Sequence, residues 1–232
     1  LKRALDSLTA HGTSADVYVR AVNFTDEQTH DLDGYNIRII RDNNHVLSAK
    51  RNLMKNTGIE LEHIYDISII NNGSKNIRRL LYSEQGVYTC HSRFKNINFL
   101  LAKGYASILC LDADTIFNKN IDHIFEMTGK DLYTLMTKED DDISYFGNEG
   151  LLLVTNTPES FVFFSEVSDV IFSEDKWRDW DADHVALNEV YKAWPISVGC
   201  LGDKYKDTTS DPKAYMWSGV GVNKYKTEFQ NG

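Results

Sequence analysis

The apolar positions of the chain switch between helical and strand-like spacing, and the order of these switches predicts a layered α/β domain. Leu1, Ala4, Leu5 and Leu8 recur at helical spacing, with Gly12 beyond them as a stop. Ala15 to Phe24 (ADVYVRAVNF) alternates and is rich in β-branched residues, which predicts a strand. A short polar helix over Asp26 to Leu32 and a second strand over Asn36 to Ile40 follow, a strand–helix–strand spacing that predicts parallel pairing. A helix with no strand before it suggests that the first strand of the fold is missing from this stretch. Leu47 to Lys55 reads as helical, whereas Gly58 to Gly73 shows no clear period. The clearest helix runs from Ser83 to Lys103, where Val87, Cys90, Phe94, Ile97 and Leu101 form one apolar stripe that Gly104 ends.

After this helix comes Leu109 to Phe117 (LCLDADTIF), an apolar run interrupted by Asp112 and Asp114. Such a run predicts a strand buried on both faces, so the carboxylates belong where the strand ends. Asn118 to Met127 reads as a turn and short helix, and Leu132 to Met136 as a strand. Asp140, Asp141 and Asp142 read as a solvated loop. Phe146-Gly147-Asn148-Glu149-Gly150 leads into a strand over Leu151 to Thr155. A helical stripe covers Ser160 to Phe172, and Trp177 to Trp180 is an aromatic-rich loop. Asp183 to Asn188 (DHVALN) then opens another helix, with Asp183 as its N-cap.

Composition narrows the class. The 232 residues suffice for one large core, so a single domain is expected over 1–232, with a nucleotide-binding part about 1–117 and an acceptor and catalytic part about 118–232. Fourteen glycines and three prolines argue against linkers and low complexity. A formal charge of −9 disfavours nucleic-acid binding, and an anionic substrate needs local positive charge or a metal. Cys90, Cys110 and Cys200 are odd in number and widely spaced, and read as reduced core residues of an intracellular protein. No run approaches the roughly 18 apolar residues of a membrane span, and no signal-peptide pattern is present, so the expected location is the cytoplasm.

The chemistry centres on Asp112-Ala113-Asp114. Two oxygen ligands at a strand end suit Mg²⁺ or Mn²⁺, which in turn can neutralise phosphates; otherwise one aspartate caps the turn and the other is solvated. Arg93 precedes Asp112 by 19 residues, which in a helix-to-strand crossover brings it near the same edge. Gly150 and its neighbours allow close backbone approach, while Asn148 and Glu149 offer hydrogen bonds to hydroxyls. Trp217-Ser218-Gly219-Val220-Gly221-Val222-Asn223-Lys224 supplies glycines and a lysine that can wrap a diphosphate.

In this order the pieces resemble a GT-A glycosyltransferase, most similar to the retaining glycogenin and lipopolysaccharide galactosyltransferase type. The matching stretches are the Arg93 helix, LCLDADTIF, YFGNEGLLLVTN, DHVALN and SGVGVNK, from about Ser83 to Lys224. The resemblance implies a Rossmann-like nucleotide-diphospho-sugar transferase fold, a mixed and mostly parallel sheet flanked by helices. It implies Mn²⁺ or Mg²⁺ on Asp112 and Asp114, and a nucleotide-sugar bound by Arg93, Asp112, Ala113, Asp114, Gly221 and Lys224. Asn148, Gly150 and Trp217 would contact the sugar or a glycan or other hydroxyl acceptor, with Asp183, His184 and Glu149 closest to the reaction. Ser218 stands where the family has a metal-binding histidine, and His184 where it has a glutamine, so the third metal ligand and the sugar contacts differ. In a front-face retaining reaction Asp183 would stabilise a cationic sugar; in an inverting one Asp183 or Glu149 would be the base. A haloacid-dehalogenase-like phosphatase also opens on Asp-x-Asp, but near its N-terminus and with Thr or Val where Ile116 stands. The third reading is a non-catalytic nucleotide- or sugar-binding domain.

Overall fold

The computed structural model describes residues 1–44, 84–139, 143–146, 150–179, 181–209 and 211–218. The helix expected over Leu47 to Lys55, the aperiodic stretch after it, and Asp140 to Asp142 lie outside the described residues. Helix α1 (Lys2–His11) ends at Gly12, whose φ of 70° is a left-handed value that glycine adopts without strain. Strands β1 (Tyr18–Val22) and β2 (Arg38–Asp42) pair in parallel, Tyr18 opposite Arg38 and Val22 opposite Asp42, as the spacing predicts. Between them lies α2 (Asp26–His30), started by a capping box of Thr25 and Gln28.

The long helical stripe divides into α3 (Glu84–His91) and α4 (Arg93–Ala102), which corrects the single helix expected there. The reason is local. The Ser92 hydroxyl donates to the Thr89 carbonyl at 2.7 Å and the Arg93 Nε to the Cys90 carbonyl at 2.7 Å, so side chains take up carbonyls that a continuing helix would use. The stripe still buries Val87, Phe94, Ile97 and Leu101.

The main sheet has the order β3 (Ser107–Leu111), β8 (Leu151–Thr155), β5 (Leu132–Thr134), β9 (Val198–Cys200). Strand β8 runs antiparallel to both neighbours, and β5 and β9 run parallel. Of the six described pairings two are parallel and four antiparallel, so the sheet is mixed as expected but not mostly parallel among the described residues. The remaining pairings are antiparallel, β4 (Ile116–Phe117) with β10 (Met216–Trp217), and β6 (Met136–Glu139) with β7 (Ile143–Phe146).

Alternation along β8 explains its unbroken apolar sequence. Leu152 and Val154 join one core cluster with Phe94, Phe163 and Phe164, while Leu151 and Leu153 join a second with Phe117, Ile124, Tyr205 and Met216. Both faces are covered, and each fully buried Leu or Phe contributes about 2–3 kcal/mol of hydrophobic stabilisation. The first face is covered by α4, by α5 (Pro158–Phe172), which starts in a Thr157 and Ser160 capping box, and by α6 (Ala182–Ala193).

Three smaller expectations are corrected. Trp177 and Arg178, expected in the aromatic loop, end a 3₁₀ helix over Ser173–Arg178, whereas the short helix expected within Asn118 to Met127 is present as a 3₁₀ helix, Asp122–Glu126. Cys90 and Cys110 are only partly buried and Cys200 is exposed, all three with free thiols, because their strands and helices leave them at the edges of the core. Helix α6 starts at Ala182 after Asp181, so Asp183 lies inside its first turn and is not the cap. No described helix is long and apolar enough to cross a membrane.

Candidate functional site

Strand β3 ends at Leu111, and Asp112, Ala113 and Asp114 form the turn beyond it, as the sequence predicts. Ala113 and Asp114 are exposed, whereas Asp112 is drawn inward. Its Oδ1 lies 2.9 Å from Arg93 Nη2, and its Oδ2 lies 3.1 Å from Lys206 Nζ. Both cations are buried, with 13% of the Arg93 side chain and 5% of the Lys206 side chain exposed. Burial alone would raise the Asp112 carboxyl, but the charges and hydrogen bonds of Arg93 and Lys206 outweigh it and hold the group at about 2. Burial works against the Arg93 charge too, and Asp112 together with Cys110, Asp183 and Cys90 outweighs it, raising that group above its ordinary value.

Gly150 makes this geometry possible. Its carbonyl accepts from the Asp112 N–H at 3.2 Å, and a Cβ at this position would sit 1.9 Å from Asp112 Oδ2 and 2.2 Å from Lys206 Nζ. A larger side chain here would require the Asp112 carboxylate and the Lys206 ammonium to shift.

Arg93 also acts electrostatically on Asp183, which ties α6 to the same site. Asp183 is 7% exposed; its Oδ1 accepts the His184 N–H at 2.9 Å and lies 3.6 Å from His91 Nε2. His91 is fully buried, and its Nδ1 donates to the Trp177 carbonyl at 2.8 Å, which fixes the ring. Burial pushes the Asp183 carboxyl up, but His91, Arg93 and the His184 N–H outweigh it, leaving the group below its usual value. Asp183 is thus a buried, ionised carboxylate at the start of α6. The His184 carbonyl accepts from Asn188 Nδ2 at 2.8 Å.

Lys206 follows a short 3₁₀ helix (Asp203–Tyr205) and is positioned by the packing of this segment on 215–218. Tyr205 stacks on Tyr215 at 5.2 Å and shares a 2.9 Å hydrogen bond with His123. The Asp207 N–H donates to the Met216 carbonyl and the Ser218 N–H to the Asp207 carbonyl, while Met216 and Trp217 pair with Phe117 and Ile116 just beyond the aspartate turn. Ser218 is buried, and the Trp217 indole donates to the Asp211 carbonyl at 2.7 Å. Asn148, Glu149, Gly221 and Lys224 lie outside the described residues. Lys206 and His91 were not foreseen from the sequence. Lys206 lies 94 positions from its partner with no motif around it, and His91 offered only its place two residues before Arg93.

A cavity of about 700 Å³ lies between β1 and the α4–β3 unit, lined among others by Tyr18, Arg20, Arg93, Asn96 and Asp112. Its size suits a nucleotide-sized ligand. In its lining the Tyr18 and Tyr105 hydroxyls meet at 2.7 Å, and Arg93, Asp112 and Ala113 also line it. As to a metal, no group of three His, Cys, Asp or Glu side chains among the described residues is placed to hold one. The two hard carboxylates at a strand end fit a cation of the Mg²⁺ kind, which takes one or two carboxylates and completes its shell with water and substrate phosphates.

An α/β sheet that gathers buried cations and carboxylates at its strand ends, beside a nucleotide-sized cavity, has the layout of the glycosyltransferase fold. The chain belongs to the nucleotide-diphospho-sugar transferase family, whose model matches residues 60–225. The structure is similar to that of the glycosyltransferase GlyE of Streptococcus pneumoniae TIGR4, at 13% identity and a TM-score of 0.51, covering 94% of this chain and 51% of that one. For the apo form of GlyE the values are 15%, 0.53, 95% and 50%. The chain therefore spans about half the length of GlyE. Apo mouse xyloside xylosyltransferase 1 aligns at 14% identity and a TM-score of 0.49, over 96% of this chain and 91% of that one. No curated protein matches the sequence significantly.

Proposed function

We propose that the protein is a metal-dependent glycosyltransferase that moves a sugar from a nucleotide-sugar to a hydroxyl acceptor with retention. The observation that carries this reading is that Arg93, from one helix, pairs with Asp112 at a strand end beside a nucleotide-sized cavity that both line, and acts electrostatically on the buried Asp183 of another helix. The reaction must expel a nucleoside diphosphate from an anomeric carbon, and the charge that grows on the leaving phosphate must be met by fixed cations. Arg93 and Lys206 supply that charge from desolvated positions, and Lys224 and Gly221 complete the proposed grip. A divalent ion on Asp112 and Asp114, when bound, adds Lewis-acid stabilisation of the diphosphate. Asp183 is ionised and buried, as a carboxylate that stabilises a cationic sugar must be, and His184 at the same helix start contacts the sugar. Asn148, Glu149, Gly150 and Trp217 are assigned to the sugar and acceptor.

The phosphatase reading requires Asp112 to act as nucleophile. Both of its oxygens are tied to buried cations, which lowers the nucleophilicity that such a step needs. A panel of nucleotide-sugars in Mn²⁺, read by thermal shift and by release of nucleoside diphosphate, tests the proposal. One donor is expected to stabilise the protein and to be slowly hydrolysed, with both effects lost in Asp112→Ala. Phosphate release from simple phosphomonoesters would move the assignment to the phosphatase reading. Donor binding with neither hydrolysis nor transfer would leave a binding domain.

A further inference from the structure

Lys206 is buried, its neighbour Asp207 bridges in parallel to 216–218, and the Lys206 ammonium is directed at the very carboxylate assigned to the metal. Burying an ammonium is costly unless it is paired, and Asp112 Oδ2 at 3.1 Å supplies the pairing. Gly150 adds a second, independent sign that the contact is built in, because any Cβ there would strike both partners. Arg93 already neutralises the other oxygen of Asp112. Lys206 is thus a second cation on the same carboxylate, and it stands where it opposes a divalent ion.

We propose that Lys206 couples metal binding to donor binding, pairing with Asp112 in the donor-free protein and with the diphosphate once a nucleotide is bound. This rests on the glycosyltransferase reading above. In the donor-free protein Lys206 holds Asp112 Oδ2 and repels a second cation. An incoming diphosphate offers the ammonium two or more anionic oxygens, a better partner than one shared carboxylate. Lys206 swings to it on its flexible stem, and Asp112 Oδ2 is released as a ligand. The metal's affinity is low without nucleotide and high with it, and by reciprocity the metal tightens nucleotide binding by the same factor. Such a device keeps the site from filling with a metal in the absence of substrate.

The test measures Mn²⁺ affinity by calorimetry on the whole chain, with and without saturating nucleoside diphosphate (UDP and GDP as probes), for the wild type, Lys206→Met and Lys206→Gln. Thermal melts check that each variant is folded. The expected result is that both substitutions tighten Mn²⁺ binding to the nucleotide-free protein by about tenfold or more, through loss of a nearby positive charge. They should also shrink the factor by which nucleotide tightens Mn²⁺. Equal or weaker Mn²⁺ binding in folded variants, with the coupling factor unchanged, overturns the role of Lys206 and leaves the glycosyltransferase reading in place. Absence of Mn²⁺ binding in every protein, even with nucleotide, overturns both this role and the metal assignment on which it rests.

Discussion

Replacing Asp112 by asparagine is the sharpest test of the site's electrostatics. The substitution keeps the shape and removes the charge, so Arg93 and Lys206 remain buried opposite an amide. Two routes give the magnitude. The carboxyl falls from 3.8 to about 2 on folding, and at about 1.4 kcal/mol per pH unit the native state favours the charged form by about 2 kcal/mol. Removing one member of a buried pair costs about 3–5 kcal/mol, because the partner charge is left uncompensated. Asp112→Asn is therefore expected to lower unfolding stability by about 2–4 kcal/mol at pH 7, measured by urea denaturation in EDTA so that no metal contributes. In Asp112→Asn/Lys206→Met one stranded ammonium is gone, and the loss should fall short of the sum of the single losses by about 1 kcal/mol or more. The sign with pH follows. A depressed carboxyl contributes stability that is complete above its unfolded value of 3.8 and is lost as pH falls toward 2. The variant should lack that portion of the acid slope. A single-variant loss below about 0.5 kcal/mol, or strict additivity in the double variant, would refute the claim that Asp112 is held by both cations.

Gly150→Ala places a methyl group 1.9 Å from Asp112 Oδ2 and should cost about 1–3 kcal/mol while weakening nucleoside-diphosphate binding; unchanged calorimetric affinity would count against the close approach. His91→Ala leaves the Trp177 carbonyl without its donor and opens a cavity, for an expected loss of about 2–4 kcal/mol in urea unfolding, and His91→Asn, which retains a donor near the Nδ1 position, should recover part of it. Asp183→Asn should lower turnover by about a hundredfold or more while leaving donor affinity within a few-fold, and normal turnover would remove Asp183 from the reaction.

What could be read from the sequence divides along the range of the interactions. The strands at Tyr18–Val22, Arg38–Asp42 and Leu151–Thr155 and the helix at Pro158–Phe172 follow from local periodicity and capping, and all were foreseen to within a few residues. The placement of Asp112 at a strand end followed from the cost of burying a charge mid-strand. The division at Ser92 was not legible, because an apolar stripe continues across it while side chains of Ser92 and Arg93 take the carbonyls. The direction of β8 escaped as well. A run of apolar residues states that both faces are buried, but not which way the neighbouring strands point.

The site shows the same limit in its charges. A net charge of −9 argued against anionic ligands unless positive charge were gathered locally, and the sequence offered Arg93 and Lys224 for that purpose. Arg93 was found through its stripe and its distance from the aspartates. Lys206 had no such marker, since its relation to Asp112 is created by long-range contacts: β10 pairs with β4, Asp207 bridges to Trp217 and Tyr205 stacks on Tyr215. Yet it is Lys206 that alters the chemistry expected of the two aspartates. Asp114, exposed on the turn, is the more accessible of the two carboxylates. Asp112, bracketed by two buried cations, is held in charge and in place before any ligand arrives. A carboxylate fixed in this way loses little entropy on taking a metal but must exchange a cation to do so, and the exchange requires an anion to receive Lys206. On the proposed coupling the diphosphate of a nucleotide-sugar is that anion, and the order of binding would follow from the pairing of Lys206 with Asp112.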